Sequence, residues 1–274
     1  MSALEAIVLG IVQGLTEYLP ISSTAHLRIV PALAGWKDPG AAFTAVVQLG
    51  TMAAVLVYFR HELVLLFHAF IGSLRDRSLW RSEDTEARLG WYLIIGTIPV
   101  AVLGLAFNHV IEHQLRSLEL IGAVMVIVSL VLYTADRAGT RERQLPEITL
   151  RDGVTIGFAQ AAALIPGVSR SGATISMGLF RNFTRQSATR YSFLLSIPAV
   201  VLSGLFELRK IGGGSNHAGV APTIIATIFA FIFGYLTIAW LLRYVRTHNF
   251  NIFVIYRVIV GLLVIGLAAS NTIK

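Results

Sequence analysis

The 274-residue chain contains no cysteine. Disulfides, thiolate metal ligands and a cysteine nucleophile are therefore all excluded. Charge is scarce as well. Only 14% of the residues are Asp, Glu, Lys or Arg, against about 25% in soluble domains, and 55% are hydrophobic, with a mean hydropathy of +0.71. This is the composition of a polytopic membrane protein. The opening stretch MSALEAIVLG has no basic residue and carries Glu5, so a cleaved signal peptide is not expected. The formal charge of +7 is not read as nucleic-acid binding. In a membrane chain the first question is whether Lys and Arg gather on one side.

About 20 mostly apolar residues are needed to cross the hydrocarbon. Six stretches qualify: roughly 41–59, 90–107, 118–134, 188–207, 222–243 and 251–270. Two others, roughly 5–33 and 152–181, are each broken near the middle by proline and small polar residues. With six crossings, the segments after the first, third and fifth spans hold fourteen arginines, from Arg60 to Arg246. The opposite side holds five basic residues: Lys37, Arg116, Arg209, Lys210 and Lys274. The positive-inside rule turns the fourteen toward the cytoplasm and both termini outward. Arg28, Arg170 and Arg257 remain, in or near apolar sequence.

A shift of 147 residues lays Gly10 on Gly157, Gln13 on Gln160 and Ser22 on Ser169, with weak identity. The order of parts repeats more clearly, since each half reads as a broken segment followed by three spans. Three crossings is an odd number, so the second half must be inverted. The predicted architecture is an all-α polytopic membrane protein of two inverted-topology repeats, each a re-entrant helical hairpin plus three transmembrane helices. It forms a single membrane domain over 1–274: repeat one 1–134, a cytoplasmic connector 135–151, and repeat two 152–274.

The broken segments carry the chemistry. In the first, EYLPISSTAH follows a helix-like run in which Gln13 and Glu17, four apart, share a face. Pro20 disfavours helix at Leu19, and Ser22, Ser23 and Thr24 can cap a half-helix starting near Ala25. In the second, Pro166 and Gly167 break the helix and Ser169, Arg170 and Ser171 form the turn. Such turns leave backbone N–H groups free at a helix start, a ready anion site. If the hairpins enter from opposite sides, Glu17, Ser23 and His26 face Arg170. Each residue also has a plainer role open to it. Arg170 could snorkel or pair structurally, Glu17 could hold the hairpins together through an arginine, the hydroxyls could only cap, and His26 could be a hydrogen-bonded structural histidine.

QGLTEYLPISSTAH and PGVSRSGATIS resemble the two signature motifs of the undecaprenyl-diphosphate phosphatase family, the bacitracin-resistance type. The likeness extends through FTAVVQLGTMAAV, YSFLLSIPAV and IYRVIVG. It implies a bacterial inner-membrane hydrolase of a phosphoric anhydride. The enzyme would remove the terminal phosphate of the C55 lipid diphosphate to recycle the lipid carrier of cell-wall synthesis. The centre would open to the outer face, and a homodimer is compatible. By motif position Glu17 matches the acidic residue, Ser23 the nucleophilic serine, His26 the histidine and Arg170 the arginine of the second motif. Two positions depart: Gln13 stands where the family often has Glu, and Ala25 where it often has Gly.

On this reading Arg170 and the two helix starts bind the diphosphate, with Gln13, Ser22, Thr24, Ser169 and Ser171 around it. Ser23 attacks, with Glu17 or His26 as base, and His26 protonates the leaving lipid phosphate or activates water. A divalent cation, magnesium or calcium, has Glu17 as its expected protein ligand. The competing reading is a flippase or transporter of a polyprenyl phosphate, since inverted repeats with broken helices suit alternating access. Three further signals are read as bland. HVIEH, His109 to His113, matches an inverted zinc-protease pattern but reads as a solvated helix face. Residues 75–88 read as a cytoplasmic connector and GGGSNHAG, residues 212–219, as an outer loop. Arg257 is expected to pair structurally with a carboxylate, with substrate or lipid binding as the alternative.

Overall fold

The computed structural model describes residues 1–75, 85–107, 115, 117–211 and 218–273, with backbone only at 41, 42 and 203–211. His109 to His113, most of the 75–88 connector, residues 212–217, Arg116 and Lys274 lie outside the described residues, as do the side chains of Arg209 and Lys210. The described chain is helical: α1 Ala3–Tyr18, α2 Ser23–Ala34, α3 Gly40–Tyr58, α4 Arg60–Arg75, α5 Thr85–Ala106, α6 Leu118–Ala138, α7 Leu150–Ala161, α8 Arg170–Phe180, α9 Arg185–Ile211, α10 Val220–Tyr244 and α11 Asn251–Ala269. Among the described residues the only strand-like pairing is one bridge between Arg143 and Phe183.

Four of these helices, α5, α6, α10 and α11, are long and apolar enough to cross a membrane, and α3 with α4, bent by 79°, makes a fifth candidate. The span predicted at 188–207 falls on α9, whose side chains are described only in part. The outward faces are greasy. On α10, Val220, Ile224, Ile228, Ile232, Leu236 and Trp240 are all exposed. They recur every four residues, so they form one stripe along the helix. A stripe of that length suits lipid and would be a liability in water. The chain is a multi-pass membrane protein.

Helix starts follow local chemistry. Ser2 and Glu5 form a capping box on α1, and Thr149 and Asp152 form one on α7. Helix α1 lies against α10, α7 against α5, and α6 against α11, while α3 packs on α10 and α9, and α9 on α8 and α5. The first two crossings are tight because glycine permits it. A Cβ on Gly10 would come 2.4 Å from the Ala226 carbonyl oxygen, and one on Gly157 would come 2.5 Å from that of Gly96.

Several arginines assigned to one side are held by buried carboxylates. Arg185 bonds Asp136 at 2.6 Å, while Arg143 and Arg181 converge on Asp152 at 2.7 and 2.6 Å. Arg28, left over in the sequence, pairs with Asp38. Burial by itself would raise the Asp152 pKa, but hydrogen bonds from Arg143, Thr149 and Arg181 outweigh it and hold the carboxyl well below the usual carboxylate range. A depressed pKa means stability that is present above about pH 4 and lost as pH falls further, through the folded-state value. Asp152→Asn should therefore lower Tm by several degrees at pH 7. In a thermal melt the gap from wild type should narrow only below about pH 4.

Candidate active site

The two broken segments meet. Helix α1 ends at Tyr18, Leu19 turns extended, and α2 restarts at Ser23. Helix α7 ends at Ala161, passes through a 3-10 turn at Ala162–Leu164, and α8 restarts at Arg170. Each restart is two residues earlier than the sequence suggested, at Ser23 and not Ala25 and at Arg170 and not Gly172. Only Ser22 and Ser169 act as caps, accepting from the N–H groups of Ala25 (3.4 Å) and Gly172 (3.1 Å). Ser23, Thr24, Arg170 and Ser171 lie in the first turns instead, which frees their side chains for other partners.

Ser22 and Ser169 have φ of 76° and 71°. A side chain with a Cβ is strained there, and such strain gathers at functional sites. The local geometry repeats in detail. Ser22 Oγ is 3.2 Å from Thr24 Oγ1, and Ser169 Oγ is 3.2 Å from Ser171 Oγ. At both restarts the first two backbone N–H groups have no partner within the helix.

Glu17 is the hub. Its Oε2 accepts from Gln13 Nε2 at 3.0 Å and from the Ser23 hydroxyl at 2.6 Å. Its Oε1 accepts from Gln48 Nε2 at 3.3 Å and from Arg170 Nη2 at 2.8 Å. All four bonds reach a side chain that is 5% exposed. Gln13, Glu17, Ser23 and Arg170 are therefore brought together as expected, across 153 residues in the case of Arg170 and Glu17. Ser171 adds a second cross-tie by donating to the Leu19 carbonyl at 2.9 Å.

His26 departs from the expected arrangement. Its Nδ1 lies 2.7 Å from the Ser22 carbonyl, and its Nε2 lies 2.7 Å from the Tyr256 hydroxyl. A carbonyl only accepts, so Nδ1 carries the hydrogen; in the neutral ring Nε2 accepts from Tyr256. Neither nitrogen bonds Ser23, Glu17 or Arg170. Of the two bases open to Ser23 in the sequence, only Glu17 is in contact with it.

Gln48 and Tyr256 were not singled out for this centre, and Arg257 had a substrate role only as its alternative. Gln48 is the one amide in FTAVVQLGTMAAV, and an amide in an apolar span was a usable signal. Tyr256 and Arg257 sit together in IYRVIVG. Arg257 has no carboxylate partner among the described residues, contrary to expectation. It is fully buried and donates to the carbonyls of Pro20, Gly167, Val168 and Met125 and to Ser129 Oγ.

Could the residues present accept a divalent cation? Gln13 Oε1 is buried without a hydrogen-bond partner, beside the Glu17 carboxylate. These oxygens suit a hard cation, and because each Glu17 oxygen already accepts two hydrogen bonds, an ion there would displace one of those donors. Among the described residues no three His, Asp or Glu side chains cluster, so phosphates and water would have to complete the shell of any ion held there. A cavity of about 490 Å³ lies elsewhere, at the α3–α4 bend, and shares no residue with this cluster. Arg190 on its wall pairs with Glu62 at 2.8 Å, and Arg243 and Arg246 stand at the end of α10, where a helix C-terminus favours cations.

Comparison with known proteins gives a consistent answer. Residues 6–263 match the model of the family described as bacitracin resistance protein BacA. An undecaprenyl-diphosphatase of Nocardioides sp. is 52% identical over 270 residues, covering 98% of each chain. Proteins of the same name from Chlorobaculum parvum (51% identical, covering 96% of this chain and 95% of the relative) and Myxococcus xanthus (49%, covering 100% and 92%) are similar over the same length. With the family model spanning nearly the whole sequence and identities near one half, this chain belongs to the bacitracin resistance protein BacA family.

Proposed function

We propose that the protein is an undecaprenyl-diphosphatase. It hydrolyses the terminal phosphate of the C55 lipid diphosphate, leaving the lipid monophosphate for reuse as a cell-wall carrier. The observation that carries this reading is the hydrogen-bonded chain Ser23–Glu17–Arg170 at the junction of the two breaks. It joins a hydroxyl, a base and a phosphate-binding cation, and transport alone has no use for a nucleophile.

The diphosphate is cradled by the open N–H groups at the starts of α2 and α8 and by the Arg170 guanidinium. One nitrogen of Arg170 is engaged by Glu17, and its other N–H groups make no bond among the described residues. Gln13, Ser22, Thr24, Ser169 and Ser171 line the cradle. Glu17 takes the Ser23 proton as the Ser23 oxygen attacks the terminal phosphorus. The phosphorus–bridging-oxygen bond breaks, and the lipid monophosphate leaves. His26, whose Nδ1 hydrogen is held by the Ser22 carbonyl, acts through the Tyr256 hydroxyl on its Nε2, which relays a proton to the leaving oxygen or takes one from the water that frees Ser23. A magnesium or calcium ion held by Glu17 and Gln13 Oε1 would neutralise phosphate charge.

The same reading makes the broken segments re-entrant hairpins of two inverted repeats in one domain over 1–274. Support comes from the matched strained serines, the matched hydroxyl pairs and the matched glycine crossings at positions 147 apart. The chain would lie in the bacterial inner membrane with its arginine-rich side in the cytoplasm and the centre open to the outer face. Inverted repeats also suit a flippase. Phosphate release by the purified protein in detergent, where there are no sides to cross, separates the two readings. One phosphate per lipid monophosphate is expected. No release from well-folded protein would favour transport.

A further inference from the structure

Arg257 is the largest fully buried side chain of the described protein, and no carboxylate among the described residues offsets its charge. A cation at membrane depth is costly, so its partners should account for its presence. Those partners are unusual. Nη1 donates to the Pro20 carbonyl at 3.0 Å, and Nη2 to the Gly167 carbonyl at 2.8 Å and that of Val168 at 3.3 Å. Pro20 and Gly167 are 147 residues apart, the offset that relates Ser22 to Ser169. One guanidinium thus bonds equivalent carbonyls of both breaks, each two residues before a strained serine. Nε anchors the fork to α6, through Ser129 Oγ at 3.1 Å and the Met125 carbonyl at 3.3 Å.

Carbonyls at a helix break have lost their helical partners and need donors. Any donor could satisfy one of them. A rigid planar fork satisfies both breaks and sets the spacing between them. That spacing matters because the reacting groups come from both segments: Ser23 and Glu17 from the first, Arg170 from the second. We infer that Arg257 is a positioning residue for the phosphatase reaction: it ties the two broken segments at one separation, so that Arg170 and the Ser23–Glu17 pair address the same diphosphate. Lysine cannot replace it, since an ammonium lacks the planar, divergent donors.

The inference rests on the proposed phosphatase activity but can fail separately from it. The chain has no cysteine, so Leu15→Cys and Ile165→Cys, both at exposed positions on the two segments, give a unique spin-label pair. The distance distribution and the phosphate-release kinetics are measured in that background with and without Arg257→Lys. Ser129→Ala, which removes one of the two acceptors of Nε and leaves the Met125 carbonyl, is the milder companion should Arg257→Lys fail to fold. The expected result is a single narrow distance in the parent and a broadened or shifted one in Arg257→Lys. With it should come a fall in kcat of ~100-fold and a change in KM of under ~5-fold, since misplacing reacting groups by about 1 Å costs that order of rate. Ser129→Ala should move both readouts in the same direction by less. An unchanged kcat, or a lost kcat with an unchanged distance distribution, would overturn the inference. If the unlabelled wild-type protein released no phosphate, the proposed activity would fail instead, and the distance measurement would still report on the tie.

Discussion

Arg170→Lys is expected to lower kcat for phosphate release by about 100-fold or more, or roughly 2.7 kcal/mol of transition-state stabilisation. The charge survives this change, so electrostatics alone predict a mild effect. Geometry predicts a severe one. Arg170 bonds Glu17 through one nitrogen and keeps other donors for the phosphoryl oxygens, which no ammonium can do from a single point. Arginines that clamp a transferring phosphoryl group are worth about 10³–10⁵ in rate, so 100-fold is a conservative floor. The helix start of α8 is unaffected, because its cap is Ser169. Binding of the ground-state diphosphate should therefore weaken less than turnover falls. A variant within tenfold of wild-type kcat would mean that the bidentate role is wrong.

Ser23→Ala is expected to bring phosphate release to about a thousandth of wild type while leaving Tm within a few degrees. The hydroxyl has one strong partner, Glu17 at 2.6 Å, and the cap of α2 is supplied by Ser22. Its removal leaves the fold's supports in place. Glu17→Gln should lose at least as much activity, about 10³–10⁴-fold, within the range ascribed to general bases. It should also cost stability, because Arg170 then remains without its buried counter-charge. In the double variant the losses should not add, since nucleophile and base act as one unit. Near-normal turnover by purified Ser23→Ala would remove the serine from the mechanism. Attack would then pass to His26 or to a directly activated water.

Much of this arrangement is legible in the residues themselves. Pro20 and the Pro166–Gly167 pair announce the breaks because proline and glycine interrupt helices locally. The four-residue spacing of Gln13 and Glu17 announces a shared face, and their side chains are bonded. The meeting of Arg170 with Glu17 followed from topology, not from local pattern. His26 was harder to place. Its position beside Ser23 in sequence says little about direction, because the first turn of α2 turns the ring toward α11 and Tyr256. Arg257 was misread for a similar reason. A buried arginine ordinarily implies a carboxylate, whereas this one is satisfied by carbonyls that exist only because two helices are broken. Long-range backbone partners leave no mark in a sequence pattern. The left-handed serines were equally hidden, since their conformation is imposed by the tertiary fit and goes against residue preference.

The central claim is that this membrane protein cleaves a lipid diphosphate at the junction of its two broken segments. Its most direct test is release of inorganic phosphate from the C55 lipid diphosphate by the purified wild-type chain in detergent. The account predicts steady turnover, with lipid monophosphate and phosphate formed one to one. A folded, monodisperse protein that forms neither product would contradict it.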